Sequence, residues 1–116
     1  MTKFANLTAI LALADQVKVE YLDIPNIGRI GVKSLSIEEK EAYEEALPKK
    51  EEAGFMTIRG PLVKACAVDE AGNEFFKEVA LEQVRKLPSW LIEPLFRKAM
   101  DINGMRENAV EQAEKN

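Results

Sequence analysis

The sequence predicts an α+β fold: a mostly helical single domain with a small antiparallel β-hairpin near the N-terminus. Three observations predict it. Apolar residues recur at helical spacing, above all Leu91, Leu95, Ala99 and Ile102. Val17, Val19 and Tyr21 alternate with Lys18, Glu20 and Leu22, and a second strand-like stretch follows a turn-rich break. Ser36 and Glu39 then spell the Ser-x-x-Glu start of a capped helix. At 116 residues the chain is long enough for one core and too short for two ordinary domains.

The first element is a helix over 3–15. Phe4, Leu7, Leu11 and Ala14 fall on one stripe with Ile10 beside it, and the simplest reading packs that stripe on the core. Lys3, the apolar run to Ala14 and the Ala12-Leu13-Ala14 triplet imitate a secretory leader. The run is short for one and is broken by Asn6 and Thr8, so export is not expected. No apolar stretch approaches the ~20 residues of a membrane-spanning helix.

Residues 17–33 form the hairpin, turning at Pro25-Asn26-Ile27-Gly28 and returning through Arg29 to Lys33. A lone hairpin is marginal in water and needs a helix across one face. The helices before and after it are the nearest candidates. The next helix covers 36–47, and Pro48 follows its end. Its apolar stripe is thin, Tyr43, Ala46 and Leu47, so it belongs at the edge of the domain. Residues 48–54 are a polar connector.

Pro61 to Val68 is a nearly continuous apolar run. Residues 61–68 read as a helix, because Pro suits the first helical position; a buried strand is the alternative that periodicity leaves open. Asp69 to Asn73 is a turn. Phe76, Ala80, Val84 and Leu87 then mark one face of a helix over 77–87. The strongest helix spans 88–103 and stops at Asn103-Gly104, where glycine suits the left-handed position. Residues 107–116 form a short helix or a frayed tail.

The residue inventory speaks against catalysis. The chain has no histidine, the commonest general base. Its single cysteine, Cys66, lies inside an apolar run, where burial makes a thiol inert, and it excludes an internal disulfide. The carboxylates fall on solvent faces, and Asp69 to Glu74 lacks the alternating oxygen ligands of a calcium loop. Gly28 and Gly31 complete no phosphate-binding pattern. The expectation is no enzyme, no cofactor and no metal. A net charge of −4 without a basic block gives no nucleic-acid footprint. What remains is a small acidic binding or assembly module. Its candidate partner-binding residues are Phe4 and Leu7 on the first helix, Phe55 and Met56 after the polar connector, and Trp90, which lies off the apolar stripe of its helix.

The order of features adds a resemblance. A strand ends at Pro25. Another carries a Gly31-Val32 step, and Leu35-Ser36 with Glu39 opens an acidic helix. Arg59 precedes the Leu62-Val63 run, and Asp69-Glu70, Gly72-Asn73 and Phe75-Phe76 follow. A helix with Leu95, Ala99 and Ile102 closes on Asn103-Gly104-Met105. This series, over about residues 17–105, resembles the tail assembly chaperones of long-tailed bacteriophages, encoded just upstream of the tape-measure protein. Lys40 and Tyr43, where Arg and Phe are usual, and the Pro88-Ser89-Trp90 helix start depart from the pattern.

The resemblance implies a protein of the bacterial host's cytoplasm, absent from the mature virion. It implies that the chain coats and solubilises the tape-measure protein and helps recruit tail-tube subunits, through a longer form made by ribosomal frameshifting. A homo-oligomer is implied, and neither nucleic acid nor membrane is expected as a partner. The competing reading is a small acidic regulatory or nucleic-acid-associated module of a mobile element.

Overall fold

A computed structural model describes residues 3–47 and 58–105. The class is α+β, but the β part exceeds the expected hairpin: it is a three-stranded antiparallel sheet in the order β1-β2-β3. Strand β1 is Val19–Ile24, β2 is Gly28–Lys33 and β3 is Ala67–Val68. The helices are α1 (Leu7–Ala12), running on as a 3₁₀ turn over Leu13–Asp15, then α2 (Ile37–Ala46), α3 (Arg59–Cys66), α4 (Leu81–Arg85) and α5 (Ser89–Ile102). The connector over 48–54 and the segment 107–116 lie outside the described residues.

The β1–β2 turn follows from its residues. Ile27 N–H bonds to the Ile24 carbonyl at 3.0 Å, with Pro25 and then Asn26 at φ 66° between them. Pro presets the first central position, and Asn tolerates the left-handed second one, as a type II turn requires. Ile24 then faces Gly28 and the register runs back to Val19 opposite Lys33.

The junction from β2 into α2 is locked as Ser36 and Glu39 predict. Ser36 Oγ accepts from the Glu39 amide at 3.1 Å, and Glu39 Oε1 accepts from the Ser36 amide at 3.0 Å. The other carboxylate oxygen, Oε2, takes Lys33 Nζ at 2.6 Å. These bonds hold the Glu39 carboxyl below its usual pKa, the Lys33 bond most strongly.

The run 61–68 is both of its alternatives in succession. It is helix to Cys66, and its last two residues form β3, with Ala67 opposite Val32 and Val68 opposite Gly31. Both parts are buried, so the apolar pattern could not separate them. Gly31 makes the pairing fit: a Cβ there would meet Val68 Cγ2 at 2.8 Å and Tyr21 Cε1 at 3.1 Å.

The helix expected over 77–87 is only α4. Residues before Leu81 are turns, with Lys77 N–H on the Glu74 carbonyl and Val79 N–H on the Phe76 carbonyl. Phe76 and Val84 both reach the core, one from a turn and one from a helix, so their helical spacing is coincidental. Asp69 Oδ1 accepts from the Ala71 and Asn73 amides, making the segment between β3 and Phe75 a plain side-chain-braced turn.

Helices α5 and α3 cover the sheet's inner face, in place of the two helices nearest the hairpin in sequence. The reason is the apolar width each presents. Helix α5 buries Ile92, Leu95, Phe96, Ala99 and Met100, whereas α2 buries only Tyr43 and α1 buries nothing. A Schellman stop ends α5: Met105 N–H reaches the Met100 carbonyl at 2.7 Å, Gly104 N–H the Asp101 carbonyl at 3.1 Å, with Gly104 at φ 68°. Asn103 ties that end back to the junction, accepting from the Leu35 amide at 2.7 Å.

Candidate binding surface

The apolar stripe of the first helix is not in the core. Every residue from Lys3 to Lys18 is exposed, Phe4 completely and Leu7 at 70%. The segment is helical for only Leu7–Ala12, capped by Asn6, whose Oδ1 accepts from the Ala9 amide at 3.1 Å. Phe4, Leu7, Ile10, Leu11 and Leu13 therefore form an apolar arm ahead of the sheet. The reading that packs this stripe on its own core is corrected. The buried cluster is built from the sheet, Tyr43, α3, Phe76, Val84 and α5, with no residue of this stripe in it. The arm becomes part of the body only at residue 18. Lys18 N–H bonds to Ser34 Oγ, and Ser34 N–H bonds to the Lys18 carbonyl.

Trp90 stands on the first turn of α5, 59% exposed. It does not meet Phe4, which touches nothing. Pro94 lies one turn further along α5 and brings no N–H to the Trp90 carbonyl, so this helix start also leaves a backbone acceptor unused by the helix. Phe55 and Met56 lie outside the described residues. Phe4, Leu7 and Trp90 are therefore all exposed, the first two on the arm and Trp90 on the body.

Among the described residues, two depressions stand out. One, of about 230 Å³, lies between α3, α4 and the start of α5, lined by Arg59, Gly60, Arg85, Ser89 and Glu93 among others. An ion pair between Arg59 and Glu93 fills its polar side, and the Arg59 guanidinium also lies 5.3 Å from the centre of the Phe96 ring. The other is a groove of about 360 Å³ between α2 and α3. Its lining is largely apolar: Leu35, Ala42, Tyr43, Ala46, Pro61, Ala65 and Leu81. Of its three charged members, Glu39 is engaged with Lys33 and Ser36 and Lys64 with the Phe76 carbonyl, while Glu74 is exposed.

Sequence reasoning missed this groove. Its trace was the thin stripe of α2, where Ala42 and Ala46 are too small to fill the space beside α3. The arm's exposure was only partly legible: Phe4 and Leu7 stood out as candidates, while Ile10 and Leu11 look like any core-facing pair.

The titratable groups describe a quiet interior. Burial pushes the Cys66 thiol up to about 12, against the lowering effect of the Asn103 amide beside it. Burial likewise lifts the Tyr43 phenol to about 12. Among the described residues no group of three or more potential ligands is placed to hold a metal ion, and no helix is long and apolar enough to cross a membrane. What these residues offer is exposed apolar surface on a small α+β body. No family model, curated protein or solved structure matches the chain.

Proposed function

We propose that this chain is a tail assembly chaperone of long-tailed bacteriophages. It coats and solubilises the tape-measure protein in the host cytoplasm and helps recruit tail-tube subunits. The observation that supports it best is the apolar arm, Phe4 to Leu13, held outside a core that is complete without it. An assembly chaperone needs such surface. A long helical client presents apolar stripes that would aggregate in water, and helix faces docked along it keep them covered.

The size of the surface suits release. An arm of about a dozen residues falls short of the ~20–30 residues that each partner commits to a standard stable interface. Each contact is then weak, and many copies on one client hold by avidity until tail-tube subunits displace them. Self-association and a longer frameshifted product belong to the same reading.

The test is co-expression of the native gene with its downstream neighbours, tagged at the N-terminus. Recovery of a long helical protein that is soluble only with this chain is the expected result. A client equally soluble without the chain removes the proposal. Intact mass measurement of the tagged material reads out the longer product in the same preparation.

A further inference from the structure

We infer that the open edge of β1 pairs antiparallel with the β1 edge of a second copy, across a two-fold axis at Val19. This rests on the self-association that belongs to the chaperone reading, and it names the contact. Among the described residues β1 has β2 on one side and no strand on the other. Lys18 sets the polarity of that edge. Its carbonyl accepts from the Ser34 amide and its own amide donates to Ser34 Oγ, so its backbone faces β2. Backbone direction alternates along an antiparallel strand, so the amides and carbonyls of Val17, Val19 and Tyr21 point to the open side. The register with β2 runs unbroken from Val19 to Ile24, and the strand contains no proline. A regular edge of this kind is a template for another strand.

Charge selects the occupant and the register. Lys18 and Glu20 share the inner face of the edge, with side chains 69% and 38% exposed. When Val19 stands opposite Val19 of the second copy, Lys18 of each copy stands opposite Glu20 of the other. These are non-hydrogen-bonded positions, where opposed side chains come closest and opposite charges attract. The smallest slips that keep the hydrogen bonds in phase move the pairing by two residues. One sets Glu20 against Glu20 and the other sets Lys18 against Lys18, and both are repelled. Within its own chain Glu20 is one carboxylate between two cations, 4.0 Å from Lys18 and 3.4 Å from Lys98 of α5, so a second carboxylate there is favoured. The outer face agrees. Val19 and Tyr21 lean over Gly31 toward Val68, since a Cβ on Gly31 would meet all three within 3.2 Å. Val17 and Tyr21 are 55% and 53% exposed. In the same register Val17 stands opposite Tyr21 of the second copy, and the apolar row continues across the axis. Two identical edges satisfy each other, so the association closes as a dimer.

Full-length charge variants test it. Lys18→Glu and Glu20→Lys each oppose like charges in a pair of identical copies. Mixed, they oppose unlike charges at both positions, and so does the double variant Lys18→Glu with Glu20→Lys paired with itself. Circular dichroism and urea midpoints establish that each variant is folded. Mass is read by light scattering and analytical ultracentrifugation across concentration. The expected result is a wild-type dimer, at least roughly tenfold weaker association of either single variant, and recovery in the mixture and in the double variant. Val19→Cys reads the position directly. Facing hydrogen-bonded residues have Cα atoms about 5.5 Å apart, within disulfide reach, so mild oxidation should crosslink it. Ile27→Cys, exposed at the hairpin turn, should stay single. A dimer that both single variants leave intact, a mixture that recovers nothing, or equal crosslinking of the two cysteines overturns the β1 contact and leaves the chaperone reading standing. A wild type that stays monomeric at every concentration overturns the contact and the self-association together, while the solubility of the client on co-expression tests the chaperone reading separately.

Discussion

The arm and helix α5 are written in the same code. Leu7 and Leu11 recur at the spacing of Leu91 and Leu95, each with apolar neighbours alongside. Yet Leu95 is buried among the sheet and α3, and Leu11 is 65% exposed. The difference lies outside either segment. Helix α5 has fourteen residues, a wide stripe and a sheet to cover; α1 has six and finds the sheet already taken. Periodicity states which face of a helix seeks burial, and it does not state what buries it.

The comparison breaks first at the core. Leu95→Ala should cost about 3 kcal/mol in urea unfolding, since the side chain is fully enclosed and its neighbours cannot all close the gap. An arm leucine that cost as much in the monomer would abolish the distinction. Gly31→Ala comes next, at about 1–3 kcal/mol, because the new methyl is driven against Val68, Tyr21 and Val19. Its signature is loss of amide protection in β3 ahead of the hairpin.

Ser36→Ala should cost about 1 kcal/mol by removing the cap of α2. The same junction sets an acid response. Glu39 is held below its ordinary value of 4.5, so its contribution is full above that value and is lost as pH falls through the lower folded one. Glu39→Gln should flatten that part of the stability–pH curve. The buried Cys66 acts on the alkaline side, as does the Tyr43 phenol, lifted from 10.0 to about 12. The thiol's folded value of about 12 against 9.0 means that its contribution is full below pH 9 and is lost as pH rises toward 12. Cys66→Ser or Cys66→Ala should shift that limb, and thiol reagents at pH 8 should react only as fast as the fold opens. The smallest effect belongs to the arm: Leu7→Ala in dilute protein should change stability by no more than about 0.5 kcal/mol.

Local chemistry was legible wherever neighbours in sequence settle their own bonds. Ser36 and Glu39 cap each other across three residues. Pro25 and Asn26 suit the two central positions of one turn, and Gly104 takes the left-handed end of α5. The division of 61–68 was not legible, because a residue buried on every side shows the same apolar letter in helix and strand. Nor was the false helix at Phe76, whose register with Val84 arises from two different backbones meeting one core.

Of the candidate site, Phe4, Leu7 and Trp90 could be named from spacing alone, as apolar residues awaiting burial or off their helix's stripe. The groove could not, since Ala42 and Pro61 meet only when α2 and α3 pack. By itself the sequence determined the class of fold, the caps and turns, the strong helix α5 and the lack of histidine chemistry, because these depend on residue type and near neighbours. The tertiary structure alone decided that β3 joins the sheet, that α5 and α3 close the core, and that the arm is left outside. Those outcomes are a competition for one apolar face, and the segments that bury the most area win it.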